Sequence, residues 1–221
     1  GIWHMGETSG VTNFDSTSNN HDGTKKGAAE PNPIASGKIN GAQSFDGSND
    51  IVDLPTTATL NMTTSLTLSA WFKSDVAGGS CRRIFEHGAI SISPWIEYNL
   101  NIDCGGQPQV LLELHTGVGF GGVESTRLHG IGEWVYAVGT WDGATAKMYY
   151  DGILDASAPN SGTLQDLNDI TTIGYRDHGG LKQYFFDGVL DEIRLSNSAR
   201  STDWVSTEYN NQSSPATFFS L

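Results

Sequence analysis

The chain is a succession of short apolar-alternating segments punctuated by Asp-Gly turns. No helical stretch among them is long enough to serve as a crossover between parallel strands. Strand-like runs recur at 2–5, 42–46, 50–54, 66–73, 82–87, 95–103, 109–115, 134–141, 145–151, 153–157, 170–174 and 184–195. Successive side chains of a strand point to opposite faces. On that count Leu66, Leu68, Ala70 and Phe72 share one face, with Thr67, Ser69 and Lys73 on the other. By the same count Val189, Asp191, Ile193 and Leu195 share a face, opposite Glu192, Arg194 and Ser196. Asp151-Gly152, between Tyr149-Tyr150 and Ile153-Leu154, predicts a two-residue hairpin, because Asp and Gly tolerate the positive φ that such a turn requires. Asp142-Gly143 closes the hairpin before it, giving a meander from Trp134 to Ala158. The one predicted helix is short. Ser201 or Thr202 caps it, and Trp204, Val205, Glu208 and Tyr209 follow at helical spacing. The expected fold is an all-β, antiparallel two-sheet jelly-roll sandwich with one short C-terminal helix, in a single domain over residues 1–221.

Composition supports strands and turns: 27 of 221 residues are Gly, and only 17% are charged. The formal charge of −13 repels phosphate backbones and anionic lipid, so no nucleic-acid partner is expected. No apolar run approaches the roughly 18 residues of a membrane span, so no membrane insertion is expected. The first residues, Gly1-Ile2-Trp3-His4-Met5, read directly as a strand, as in a module of a larger multidomain protein.

Cys81 and Cys104 flank two strand-like runs that suggest an antiparallel hairpin. With the two cysteines opposed, Glu86 faces Asn99, and a disulfide is geometrically reasonable; two unrelated buried thiols are the alternative. A disulfide favours an oxidising, extracellular or cell-surface setting.

Several phrases, in their order, carry a family resemblance. They are Ile2-Trp3-His4-Met5-Gly6-Glu7-Thr8-Ser9-Gly10, the Asp/Asn-rich stretch Asp15–Thr24, Ser44-Phe45-Asp46-Gly47-Ser48-Asn49-Asp50-Ile51-Val52, Thr67-Leu68-Ser69-Ala70-Trp71-Phe72, Met148-Tyr149-Tyr150-Asp151-Gly152 and Phe186-Asp187-Gly188-Val189-Leu190-Asp191-Glu192-Ile193-Arg194. Together they resemble the laminin-G-like, concanavalin A-like lectin/glucanase jelly-roll family of secreted bacterial and archaeal proteins, and more distantly the pentraxins. The resemblance implies a structural Ca²⁺ and a carbohydrate-binding or adhesion role, and is not by itself a sign of catalysis.

No catalytic spacing stands out. The Glu-x-Asp-x-x-Glu run that places two carboxylates on one strand face is absent, as are Gly-x-Ser-x-Gly and His-Glu-x-x-His. The chain is therefore expected to be a non-catalytic, calcium-stabilised carbohydrate-binding module. The alternatives are an adhesion module making protein contacts, or a jelly-roll glycoside hydrolase or polysaccharide lyase. The calcium candidates are Asp15, Asp46, Asn49, Asp50 and Asp191, oxygen donors of the kind Ca²⁺ takes. Each has a plainer reading, as an Asx-capped turn or, for Asp191, as a buried carboxylate accepting backbone N–H groups. Sugar binding needs an exposed aromatic platform with polar neighbours. The candidates are Trp95, which follows Pro94 near a hairpin tip, Phe120 in the glycine-rich stretch 117–122 (read as a flexible loop), and Tyr98, Tyr175, Asp177 and His178. Trp3, Trp71, Trp134 and Trp141 are expected to pack in the core or against a sheet, and Trp204 to seat the helix on the sheet.

Overall fold

The computed structural model describes residues 1–27, 30–88, 96–165 and 170–214. In chain order the strands are β1 (Ile2–Trp3), β2 (Thr12–Asn13), β3 (Gly23–Lys25), β4 (Asn32–Ile34), β5 (Ala42–Asp46), β6 (Val52–Leu54), β7 (Leu66–Ser74), β8 (Arg82–Gly88) and β9 (Tyr98–Ile102). They continue with β10 (Val110–Thr116), β11 (Gly119–Glu124), β12 (Trp134–Trp141), β13 (Thr145–Tyr150), β14 (Ile153–Pro159), β15 (Ile170–Ile173), β16 (Arg176–His178), β17 (Leu181–Gln183) and β18 (Asp187–Ser196). Helix α1 (Thr202–Ser213) follows. The first sheet runs β14-β13-β12-β7-β18-β5-β4, with β1 also on β18, and the second runs β11-β10-β9-β8-β15-β6-β3-β2. The pairings are antiparallel, and β16 and β17 form a separate hairpin. This is the jelly-roll sandwich expected from the strand pattern.

Alternation explains the core. Leu66, Leu68, Ala70 and Phe72 of the first sheet pack against Ile84, Phe85, Leu100, Ile102, Leu112 and Leu114 of the second. Gly139 lets the sheets approach: a Cβ there would stand 2.9 Å from the Leu112 side chain. A second apolar layer lies on the outer face of the first sheet, where Trp71, Tyr136, Val138 and Tyr149 meet Val205 of α1. Trp71 Nε1 donates to Gln212 Oε1 at 2.6 Å, and Ser201 caps the helix by accepting the Trp204 N–H. The turn between β13 and β14 is the expected Asp151-Gly152, with φ of 52° and 77°.

Two local expectations change. Residues 119–124 form an edge strand paired to β10 rather than a flexible loop, and 176–183 form the β16–β17 hairpin. In β18 the pairing with β7 shifts register between Asp191 and Arg194, and Glu192 takes φ of 50°. This bulge breaks the period-2 count. Ile193 and Leu195 face the core, whereas Asp191 lies opposite Trp71 on the outer face. Asp191 is buried because the 37–39 turn lies on it: Lys38 N and Ile39 N donate to Asp191 Oδ2 at 2.6 and 3.1 Å.

Cys81 and Cys104 are joined in a disulfide, with Cα atoms 4.2 Å apart. Glu86 faces Asn99 as the spacing requires, and a bulge between Arg83 and Phe85 absorbs the offset toward the bridge. Beneath the bridge, buried Asp103 accepts the Gly78 N–H at 2.7 Å, Arg82 Nη1 at 2.7 Å and His129 Nε2 at 2.9 Å. Closing a loop of 23 residues in the unfolded chain is worth about 3 kcal/mol. Replacing both cysteines with Ala is expected to lower the urea-unfolding free energy by about that amount. Two titratable thiols in denaturant without reductant would show that the bridge is not formed.

Candidate functional site

The outer face of the second sheet carries a row of polar side chains set by strand register. Thr172 of β15 lies opposite Glu86 of β8, Glu86 opposite Asn99 of β9, Asn99 opposite Glu113 of β10, and Glu113 opposite Gly122 of β11. The next row holds Arg83, Asn101, Leu111 and Glu124. Arg83 ties the rows together, with Nε 2.7 Å from Glu86 Oε2 and Nη1 3.0 Å from Glu113 Oε2. Asn99 and Asn101 donate to the same Glu113 oxygen at 2.6 and 3.1 Å. Arg176, from the β16–β17 hairpin, brings Nε to 3.4 Å from Glu86 Oε1.

Arg83, Glu86 and Glu113 are 2%, 3% and 8% exposed, so a charged lattice is held nearly dry on a face that β-sandwiches ordinarily leave to water. Burial pushes the Glu86 carboxyl up to about 7, with Arg83 and Arg176 opposing. Such groups fix one another's rotamers, so the polar surface is set before any ligand arrives.

Aromatic rings bound this lattice at both ends. Tyr184, at φ of 55°, lies over the guanidinium groups of Arg83 (5.4 Å) and Arg176 (5.9 Å). Phe120 of β11 is 62% exposed and leans on His115. A cleft of about 410 Å³ opens between Phe120, Glu113 and the β14 segment Ala156–Ala158. Gly122 floors it with bare backbone at φ of 145°, and a Cβ there would stand 2.0 Å from the Leu112 carbonyl oxygen.

Of the aromatic candidates read from sequence, Phe120 reaches this face. Trp95 lies outside the described residues. Tyr98 does not line a surface: its ring stacks between Phe85 and His87 in the core, and its hydroxyl donates to the Leu60 carbonyl. It points inward because it is in phase with Leu100 and Ile102. Tyr175 is likewise buried, stacked on Phe185 and donating to Asp53. Asp177 and His178 lie in the β16–β17 hairpin, where Asp177 Oδ1 accepts the Gly180 N–H at 2.7 Å and so holds the turn. The lattice residues Arg83, Glu86, Asn99, Asn101 and Glu113 were not singled out from sequence. Their signal is the polar half of the alternation in Tyr98-Asn99-Leu100-Asn101-Ile102 and Leu112-Glu113-Leu114.

The calcium candidates do not assemble into one donor set. Asp15 accepts from Ile2 N, Thr17 N, Thr17 Oγ1 and His21 N. Burial pushes its pKa up, but those N–H groups outweigh it and hold the carboxyl below its usual range. Asp46 Oδ1 accepts the N–H groups of Ser48 and Asn49, Asn49 Oδ1 accepts Lys26 Nζ, and Asp50 Oδ2 accepts the Asp46 N–H. Among the described residues no three His, Cys, Asp or Glu side chains converge as a metal site. Of the candidate ligands, Asp50 Oδ1 and Asp191 Oδ1 are buried with no hydrogen-bond partner among the described residues.

The chain belongs to the concanavalin A-like lectin/glucanases superfamily, whose laminin-G type family model matches residues 45–206. No curated protein matches it by sequence. Among solved structures it is similar to domain 4 of AbnA, a GH43 extracellular arabinanase from Geobacillus stearothermophilus, in complex with arabinotriose; identity is 17%, coverage 93% of this chain and 95% of that one, and the TM-score 0.71. It is also similar to the CBM40 of the Ruminococcus gnavus IT-sialidase bound to α2,3-sialyllactose (15% identity, 76% and 95% coverage, TM-score 0.64). A third similar structure is the heptameric SAP-like pentraxin of Limulus polyphemus (18% identity, 75% and 80% coverage, TM-score 0.60). These likenesses establish the fold.

Burial, chiefly, raises the Asp191 carboxyl from 3.8 to about 6 in the folded protein. Because the folded value is raised, the unfolded chain loses this proton first, and stability falls as pH rises from about 4 to about 6. A shift of that size is worth about 3 kcal/mol above the window. Asp191→Asn keeps a carbonyl oxygen for Lys38 N and Ile39 N. It is expected to gain on the parent between pH 4 and pH 7, read by urea unfolding at each pH. Parallel pH profiles would show that Asp191 ionises normally.

Proposed function

We propose that this chain is a non-catalytic carbohydrate-binding module of a secreted or cell-surface protein, and that its glycan lies on the outer face of the second sheet between Tyr184 and Phe120. The observation that carries this reading is the prearranged Arg83–Glu86–Glu113–Asn99–Asn101 lattice bounded by two exposed rings. Fixed hydrogen-bonding groups beside an aromatic surface match a sugar ring, which is apolar on its C–H faces and polar at its rim. Arg83 and Arg176 are both engaged by glutamates, which favours a neutral glycan over an anionic one. The arabinanase domain and the CBM40, each solved with a sugar, support a carbohydrate ligand. The disulfide supports an oxidising compartment.

A catalytic reading is disfavoured because Glu86 and Glu113 are clamped on one guanidinium and a single Glu113 oxygen takes three donors. Neither carboxyl is placed to give a proton or attack carbon. Incubation with a polysaccharide panel is expected to release no reducing ends.

A neutral-glycan array is expected to yield binding that falls about tenfold in Phe120→Ala and in Tyr184→Ala, in proportion to the 1–1.5 kcal/mol of an aromatic contact. Unchanged melting temperatures would show both variants folded. Binding indifferent to both substitutions would move the site elsewhere.

The calcium proposal is confined to the two partnerless oxygens, Asp50 Oδ1 and Asp191 Oδ1. A cation at either one would stabilise the turn beside it and supply no chemistry. Adding Ca²⁺ to chelator-treated protein is expected to raise the melting temperature. No rise at pH 7 in the parent would leave both carboxylates as purely structural groups.

A further inference from the structure

A second cavity, of about 500 Å³, lies on the other side of the sandwich. Its floor is the outer face of β7 and β18, where Ser69 lies opposite Arg194 and Thr67 opposite Ser196. Trp204 of α1 forms one wall, and the turn around Thr59 faces it. This volume is in the usual range for a small ligand, roughly 300–1,000 Å³.

Its charges are unequal in their commitments. The Arg194 guanidinium lies 2.7 Å from Glu192 and 2.5 Å from Glu208, so it is neutralised within the fold. Burial keeps His21, also in the lining, below its ordinary pKa and so neutral near pH 7. Arg200 is different. It is exposed on the cavity rim, its guanidinium stacks over the Trp204 ring at 4.8 Å, and no carboxylate stands within ion-pair distance among the described residues. Its backbone N–H donates to Thr67 Oγ1 at 2.9 Å, which fixes the start of the residue against the cavity floor. Stacking on the indole orients the planar fork without consuming its N–H donors. The same Thr67 Oγ1 donates to Ser198 O at 2.7 Å, so the half-buried Ser196 is the hydroxyl the floor offers, beneath one oriented guanidinium that has no carboxylate partner among the described residues.

We propose that this cavity binds a hydroxylated monocarboxylate, a sugar acid of the hexuronate class. The carboxylate sits on Arg200, and the ring hydroxyls face the Ser196 hydroxyl. A guanidinium takes a carboxylate through paired N–H bonds, and short hydroxyl side chains suit a polyol that both donates and accepts. The site is separate from the second-sheet face and does not depend on that reading.

The test is ligand titration by NMR or calorimetry on the intact chain with glucuronate and galacturonate, using glucose and inorganic phosphate as comparators. Saturable uronate binding is expected, absent for glucose, weakened by salt, and reduced about tenfold in Arg200→Ala, as for loss of a charge-assisted pair. Ser196→Phe, which fills the floor, is expected to abolish it, and Phe120→Ala to leave it intact. Arg200→Ala changes an exposed side chain, so it keeps the test open should Ser196→Phe fail to fold. No saturation by either uronate, equal affinity for glucose or for phosphate, or indifference to Arg200→Ala would each overturn the proposal. Loss in Phe120→Ala alone would assign the uronate to the second-sheet face.

Discussion

The antiparallel register of β8, β9 and β10 is the constraint on which the outer face of the second sheet depends. It sets Glu86, Asn99 and Glu113 in one line and Arg83 and Asn101 in the next, so a single guanidinium reaches two carboxylates on different strands. A slip of one residue would turn the whole lattice into the core and bring Phe85 and Leu100 to the surface. The Cys81–Cys104 bridge pins the end of this ladder, and Asp103 beneath it ties in Gly78, Arg82 and His129.

Burying two guanidinium groups and two carboxyls on a sheet face is a poor way to gain stability, because desolvation offsets most of the attraction between them and pushes Glu86 up to about 7. What the arrangement provides is preorganisation: donors and acceptors whose rotamers are locked by one another. The two faces of the sandwich thereby acquire opposite characters. On the outer face of the second sheet the guanidinium groups are held by carboxyls, whereas on the outer face of the first sheet, beyond the Trp71–Tyr136–Val205 layer, Arg200 has no carboxylate partner among the described residues.

Strand bulges account for the places where counting along the chain goes astray. The 191–194 irregularity in β18 moves Asp191 from the core face to the outer face, where it organises the 37–39 turn through two N–H bonds. A bulge depends on what the neighbouring strand offers, and period-2 alternation carries no mark of it. The edge strand β11 was hidden for a related reason. Its glycines read as a loop, yet Gly122 is needed where the strand backbone passes the Leu112 carbonyl.

By itself the sequence determined the class of fold, most strand positions, the Asp151-Gly152 hairpin and a helix start at Ser201 or Thr202, and it made the facing of Cys81 and Cys104 reasonable. All of these are short-range consequences of side-chain period, turn chemistry or hairpin spacing. Phe120 could be picked out because an apolar ring among glycines is conspicuous along the chain. The tertiary structure decided that Tyr98 and Tyr175 are buried, that Asp15, Asp46 and Asp191 lie with separate partners, and that Arg83 joins Glu86 to Glu113. Those outcomes rest on cross-strand register and on which turn covers which face. Both are relations between segments far apart in the chain, and local composition does not encode them.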